Sequence, residues 1–83
     1  PDLSPLARLA RDERSEMVRG AIASLPDTLR ETFVLREMQG LAYDQIASLQ
    51  GISAGTVGSR LASATRHVAR FLAARGMSSE DVS

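Results

Sequence analysis

The stretch "GISAGTVGSRLASATRHVARF", Gly51 to Phe71, decides how this chain is read. On a helical wheel with Val57 at zero and about 100° per residue, Leu61, Ala64, Val68, Phe71 and Leu72 fall within about 60° of it. Thr56, Ser59, Ser63, Arg66 and Arg70 fall on the far side. Ser53 stands where a helix cap belongs, and Gly76 supplies a stop. The pattern predicts a helix with one dry stripe and a small, basic outer face.

Working back from Gly51, "LAYDQIASLQG" predicts a short third helix with Ile46, Ala47 and Leu49 inward and the glycine ending it. Before it, "SLPDTLRETFVLREMQG" holds a second helix. Leu25-Pro26 breaks the chain, Asp27 caps, and Leu29, Phe33, Val34 and Met38 make one apolar face. Gly40 stops it. A first helix is expected from about Asp12 to Ser24, where Met17, Ala21, Ile22 and Leu25 space regularly. Ser4-Pro5 forms a cap and first-turn pair further upstream. Residues 1–11 are expected as a linker or frayed segment, 12–76 as the folded domain and 77–83 as a disordered tail. No period-two alternation runs over a useful length, so the fold class expected is all-α: a small four-helix bundle.

Only Gly51, Ile52 and Ser53 separate the last two helices, which is the helix-turn-helix pattern. Gly51 is able to take the left-handed conformation that ends a helix abruptly. Ile52 packs beneath the turn, and Ala47 is small where the two axes pass closest. In such units the second helix enters the major groove, N-terminal residues first. The same corner also occurs in bundles that never meet DNA.

Composition narrows the field. The chain has 83 residues, one small domain whose stability should be roughly 5 kcal/mol. It has no cysteine, and His67 is its single histidine, so no metal site or cofactor is expected. No apolar run approaches the roughly 20 residues a membrane span needs, and no signal peptide is visible, so a cytoplasmic location without membrane insertion is expected. The chain begins at Pro1, which reads as a piece of something longer. Formal charge is zero, but from Ala54 to Gly76 there are four arginines and no acid. That polarity suits one anionic partner and a second of another kind. All ten cations are arginine, a bias that a GC-rich genome explains as well as any binding role.

"SLPDTLRETFVLREMQGLAYDQIASLQGISAGTVGSRLASA" resembles region 4 of bacterial sigma factors, particularly the extracytoplasmic-function group. Leu25-Pro26, Arg30, Phe33 to Arg36, Gly40-Leu41, Tyr43, Ile46-Ala47 and Gly51-Ile52 carry the resemblance. The run Gly55-Thr56-Val57 followed by Ser59-Arg60-Leu61 is its most specific part. The likeness covers roughly Met17 to Leu72. LuxR-type domains share the outline and differ after Thr-Val.

The resemblance implies recognition of a promoter −35 element, docking on the β-subunit flap of RNA polymerase, and capture by an anti-sigma factor. It implies that Thr56, Ser59 and Arg60 meet the groove and that Gly55 and Thr56 offer backbone amides to a phosphate. Tyr43 would touch the backbone from the other side, while Ser63, Arg66 and Arg70 complete the outer face. The chain departs from the family at Gly58, where Lys or Arg is usual, and at Ala62-Ser63-Ala64-Thr65, where the family has His-Arg-Ala-Arg. A bidentate arginine–guanine pair contributes roughly 1–3 kcal/mol of discrimination, so direct base reading should be thin. A small face either brings the helix backbone close to a duplex, whose shape then sets preference, or packs against protein instead.

The remaining residues have plainer expectations. Phe33, Phe71 and the methionines are read as core, and His67 as solvated. Glu31, Glu37 and Asp44 are read as surface ion-pair partners. They lack a cleft, a nucleophile and a metal, so no enzyme is expected.

Overall fold

A computed structural model describes the backbone of residues 5–76 and the side chains of residues 13–76. The tail expected over 77–83, Ser4 of the expected cap pair and Met77 lie outside the described residues. Four helices follow one another: α1 (Pro5–Ala23), α2 (Asp27–Glu37), α3 (Tyr43–Gln50) and α4 (Ala54–Ala74). The all-α fold expected from the sequence is the fold observed, with a helix-turn-helix formed by α3 and α4.

The first helix starts at Pro5 rather than near Asp12, so residues 5–11 have helical backbone. Proline fits the first turn of a helix, and the alanine, leucine and arginine that follow are strong helix formers. These local preferences extend α1 beyond the point where its apolar spacing becomes regular. At its other end the Ser24 hydroxyl donates to the Ala21 carbonyl at 2.6 Å, and Leu25 turns inward.

Asp27 does not cap α2. Pro26 occupies the cap position, and Asp27 is already the first helical residue. Its carboxylate accepts from Arg30 at 2.7 Å, while the same Arg30 nitrogen donates to the Leu25 carbonyl at 3.0 Å. Arg30 thus ties the α1–α2 corner together. At the far end the Leu41 amide reaches back to the Leu35 carbonyl at 3.1 Å, and Gly40 takes φ +69°. The Gly40 amide donates to the Arg36 carbonyl at 3.1 Å, the five-to-one bond of an αL closure, and together these bonds satisfy carbonyls that the helix end would otherwise leave bare.

The buried face of α2 is rotated from the one expected. Thr32 is fully buried and Leu35 packs on the core, whereas Met38 is 68% exposed. Phe33 and Val34 are half-buried. In α3, Ile46 and Ala47 are buried as expected, but Leu49 is 67% exposed. The reason is shared. A short helix with apolar residues on several sides does not itself say which side a neighbour covers, and here α4 covers the side holding Ile46 and Ala47.

Helix α4 packs against each of the other three. Near its start Val57 and Leu61 meet Ile46 and Ala47, with Leu35, Leu41 and Ile52 around them. Near its end Leu72 meets Ala21, with Met17, Val18, Val68 and Phe71 around them. Phe71 and Met17 are half-buried satellites rather than closed core. A Cβ on Gly20 would stand 3.4 Å from Phe71 Cζ, so the absence of a side chain there lets the ring lie close to α1.

Candidate nucleic-acid interface

The turn that sets the interface is built as its residues require. Gly51 takes φ +68°, and the Ile52 amide donates to the Ala47 carbonyl at 3.0 Å. The Ser53 hydroxyl accepts from the Thr56 amide at 3.1 Å, a side-chain cap of α4. At the start of α3, Gln45 Oε1 accepts from the Ala42 amide at 2.8 Å. At the start of each helix of the unit one amide is thus served by a local side chain.

Along α4, Val57, Leu61, Ala64 and Leu72 face inward. Gly55, Thr56, Ser59, Arg66 and Arg70 are exposed on the other side, and Ser63 is half-buried. The Arg66 guanidinium donates to Ser63 Oγ at 3.1 Å, which holds it along the outer face. No acid occupies the first turn of α4. The face is small, hydroxyl-rich at its start and basic further along.

Of the two backbone amides expected to be available to a phosphate, that of Thr56 is already taken by Ser53. The amide of Gly55 is the one left at the helix start. Arg60 is set apart from the other arginines. It is half-buried at the flank of α4, and its guanidinium donates to Gln50 Oε1 at 3.5 Å rather than pointing straight out.

Tyr43 opens α3 and is 42% exposed. The Arg36 guanidinium lies 5.1 Å from its ring centroid, within cation–π range, and donates to the Leu41 carbonyl at 2.9 Å. The ring also approaches Gly58, whose Cβ would stand 3.7 Å from Tyr43 Cε2. Position 58 thus has Tyr43 as its neighbour, at ordinary contact distance from where a side chain would begin.

Three participants were not singled out as site residues from the sequence: Arg36 against Tyr43, and Gln50 with Thr32 behind Arg60. Gln50 immediately precedes Gly51, so a polar residue at the hinge of the turn was the available signal. Thr32 offered none, being a small hydroxyl between the charged Arg30-Glu31 and the apolar Phe33-Val34-Leu35. Among the described residues no cluster of His, Cys, Asp and Glu has the makings of a metal site. Nor is any helix among them long and apolar enough to cross a membrane.

Comparison with known proteins agrees with this architecture. The family model "Sigma-70, region 4" matches residues 15–68. The RNA polymerase sigma-H factor of Pseudomonas aeruginosa is 41% identical over 58 residues, 70% of this chain and 30% of the relative. The ECF RNA polymerase sigma-E factors of Salmonella typhimurium and of Escherichia coli K12 are each 38% identical over 58 residues, with the same coverage. The aligned part of this chain therefore accounts for less than a third of the length of these relatives. Region 4 is a transcription-factor domain and not an enzyme. With the helix-turn-helix seen directly and the match spanning most of the folded part, the chain belongs to the sigma-70 region 4 family.

Proposed function

We propose that this domain recognises the −35 element of a promoter as the fourth region of an extracytoplasmic-function-type sigma factor, directing RNA polymerase to initiation in the cytoplasm. The observation that carries the reading is the outer side of α4. Opposite the buried Val57 and Leu61 stand exposed Thr56, Ser59, Arg66 and Arg70, with Gly55 beside the cap. This side enters the major groove, Gly55, Thr56 and Ser59 leading. Arg66 and Arg70 meet phosphates further along, and Tyr43 meets the backbone at the groove edge. With short side chains in front, sequence preference comes mainly from groove width and stiffness. Arg60 stands at the flank and is taken up below.

The partners follow from the same reading. The β-subunit flap of core polymerase, or an anti-sigma factor in its place, meets the earlier helices. Exposed Met38 and Leu49 support this, as does the shallow groove along α2 lined by Asp27, Arg30, Glu31, Val34, Leu35 and Gln39. These residues belong to α2 and α3, whereas the proposed groove-facing residues, Tyr43 apart, belong to α4.

One observation favours a second reading. Gly55, Gly58, Ala62 and Ser63 leave the start of α4 without long polar side chains, which suits a face docked on a regulator protein. The experiment that separates the two is Gly58→Lys, assayed against duplex DNA over a salt series. A DNA reader gains affinity, and its log–log salt slope steepens by about 0.9 for one added phosphate contact. A protein-docking face gains nothing on DNA and loses its partner. Failure of the unaltered chain to bind any duplex at low salt would overturn the promoter reading.

A further inference from the structure

Behind Arg60 lies a small polar chain that crosses three helices. Thr32, on α2, is fully buried, and its hydroxyl stands 3.0 Å from the Thr28 carbonyl oxygen and 2.9 Å from Gln50 Oε1. A hydroxyl has one proton and serves one of these acceptors at a time. Gln50 Oε1, at the end of α3, also accepts from Arg60 Nη1 on α4 at 3.5 Å, the long limit of a hydrogen bond. Among the described residues the two ion pairs are Arg19–Glu16 and Arg30–Asp27, so no carboxylate neutralises Arg60. A half-buried guanidinium with five donors therefore has one long bond to a neutral amide. A phosphate, which accepts two parallel charge-assisted bonds, is the stronger partner.

The amide of Gln50 carries an acceptor on one side and a donor on the other. As it stands, its oxygen serves both Thr32 and Arg60. Turned over, its Nε2 donates to Thr32 Oγ1, and the threonine proton goes wholly to Thr28. Every buried group remains satisfied, but Arg60 then faces a donor and has nothing to hold it. Both orientations keep Thr32 paired, and only one retains the arginine.

We propose that Gln50, seated by Thr32, retains Arg60 beside the turn in the free domain and releases it by rotation of its amide when a DNA phosphate takes the guanidinium. Gln50 is thus a positioning residue, acting through Arg60. The inference rests on the promoter-binding reading for its second step and on geometry alone for its first.

The test uses the full chain, a mixed-sequence DNA duplex and two substitutions at one position. Gln50→Glu gives Arg60 a carboxylate and pins it. Binding should weaken about tenfold near ~0.1 M salt, and the slope should shrink by about 0.9, one phosphate. Gln50→Leu leaves Thr32 with Thr28 and frees Arg60, so affinity and slope should match or exceed those of the unaltered chain. In an Arg60→Ala background the two substitutions should bind alike. A Gln50→Glu chain that binds as tightly as Gln50→Leu, or that remains weaker without Arg60, overturns the proposal, the second outcome indicating plain charge repulsion. If the unaltered chain binds no duplex, the promoter reading and the release step fall together. The retention step is then decided by NMR on the free protein. Exchange of the Arg60 Nη1 protons, the ones that face Gln50, should be slower in Gln50→Glu and faster in Gln50→Leu than in the unaltered chain. Equal rates in all three overturn it. Circular dichroism confirms that each variant is folded.

Discussion

Tyr43 brings the edge of its ring to Gly58, with Cε2 3.7 Å from where a Cβ would stand. That distance is ordinary van der Waals contact, so one methyl fits without displacing the ring. Glycine inside a helix costs about 0.5–1 kcal/mol relative to alanine. Gly58→Ala should therefore stabilise the domain by about that amount, read as a raised urea midpoint at unchanged slope. A loss of stability would mean that the ring is held more tightly than its position suggests.

Arg66 and Arg70 are exposed, and neither is paired with an acid among the described residues. Arg66→Ala and Arg70→Ala should each weaken binding to every duplex alike and lower the log–log salt slope by about 0.9. Fluorescence anisotropy across a salt series measures both quantities. A change of sequence preference without a change of slope would put these side chains on bases instead of phosphates.

Gly51 turns between α3 and α4 at φ +68°, and a Cβ there would meet no atom within 4 Å. The penalty for Gly51→Ala is then backbone strain alone, about 1–2 kcal/mol for a residue with a side chain in the left-handed region. Thermal unfolding should register it as a drop of about 4–16 °C for a domain of this size. An unchanged midpoint would show that the turn relaxes out of the left-handed conformation.

Ile46 is fully buried and Leu49, three residues on, is 67% exposed. Ile46→Ala should cost about 2–5 kcal/mol, a large part of the whole stability. Leu49→Ala should stay within about 0.5 kcal/mol. Chemical denaturation of the pair checks which side of α3 faces the core. Equal losses would contradict the packing seen here.

The contrast between those two residues also shows what the sequence disclosed and what it withheld. The stripe of α4 was legible because it is long: Val57, Leu61, Ala64 and Leu72 repeat over several turns, and only one helix face accounts for them. The turn was legible because Gly51 and Ser53 each answer a specific backbone need. Leu49 and Met38 were misplaced because α3 and the end of α2 are too short for periodicity to choose a side. Thr32 was invisible, since burial of a hydroxyl depends on the Thr28 carbonyl and on Gln50, eighteen residues away. At the interface, Thr56, Ser59, Arg66 and Arg70 stand on the outer side as the wheel suggested. Arg60, three residues after Val57, falls at the flank of the buried stripe by its place in the helix, and there it meets Gln50.

The two hydrophobic clusters on α4 sit at opposite ends of one rod, one holding α3 and the other holding α1. Breathing at the α1 end can proceed while the opposite end keeps its shape, because few apolar contacts have to break together. Amides in the first helix should then trade deuterium sooner than those around Val57. The molecule would act as a stiff head on a looser shoulder, its geometry kept where it matters even as the remainder fluctuates.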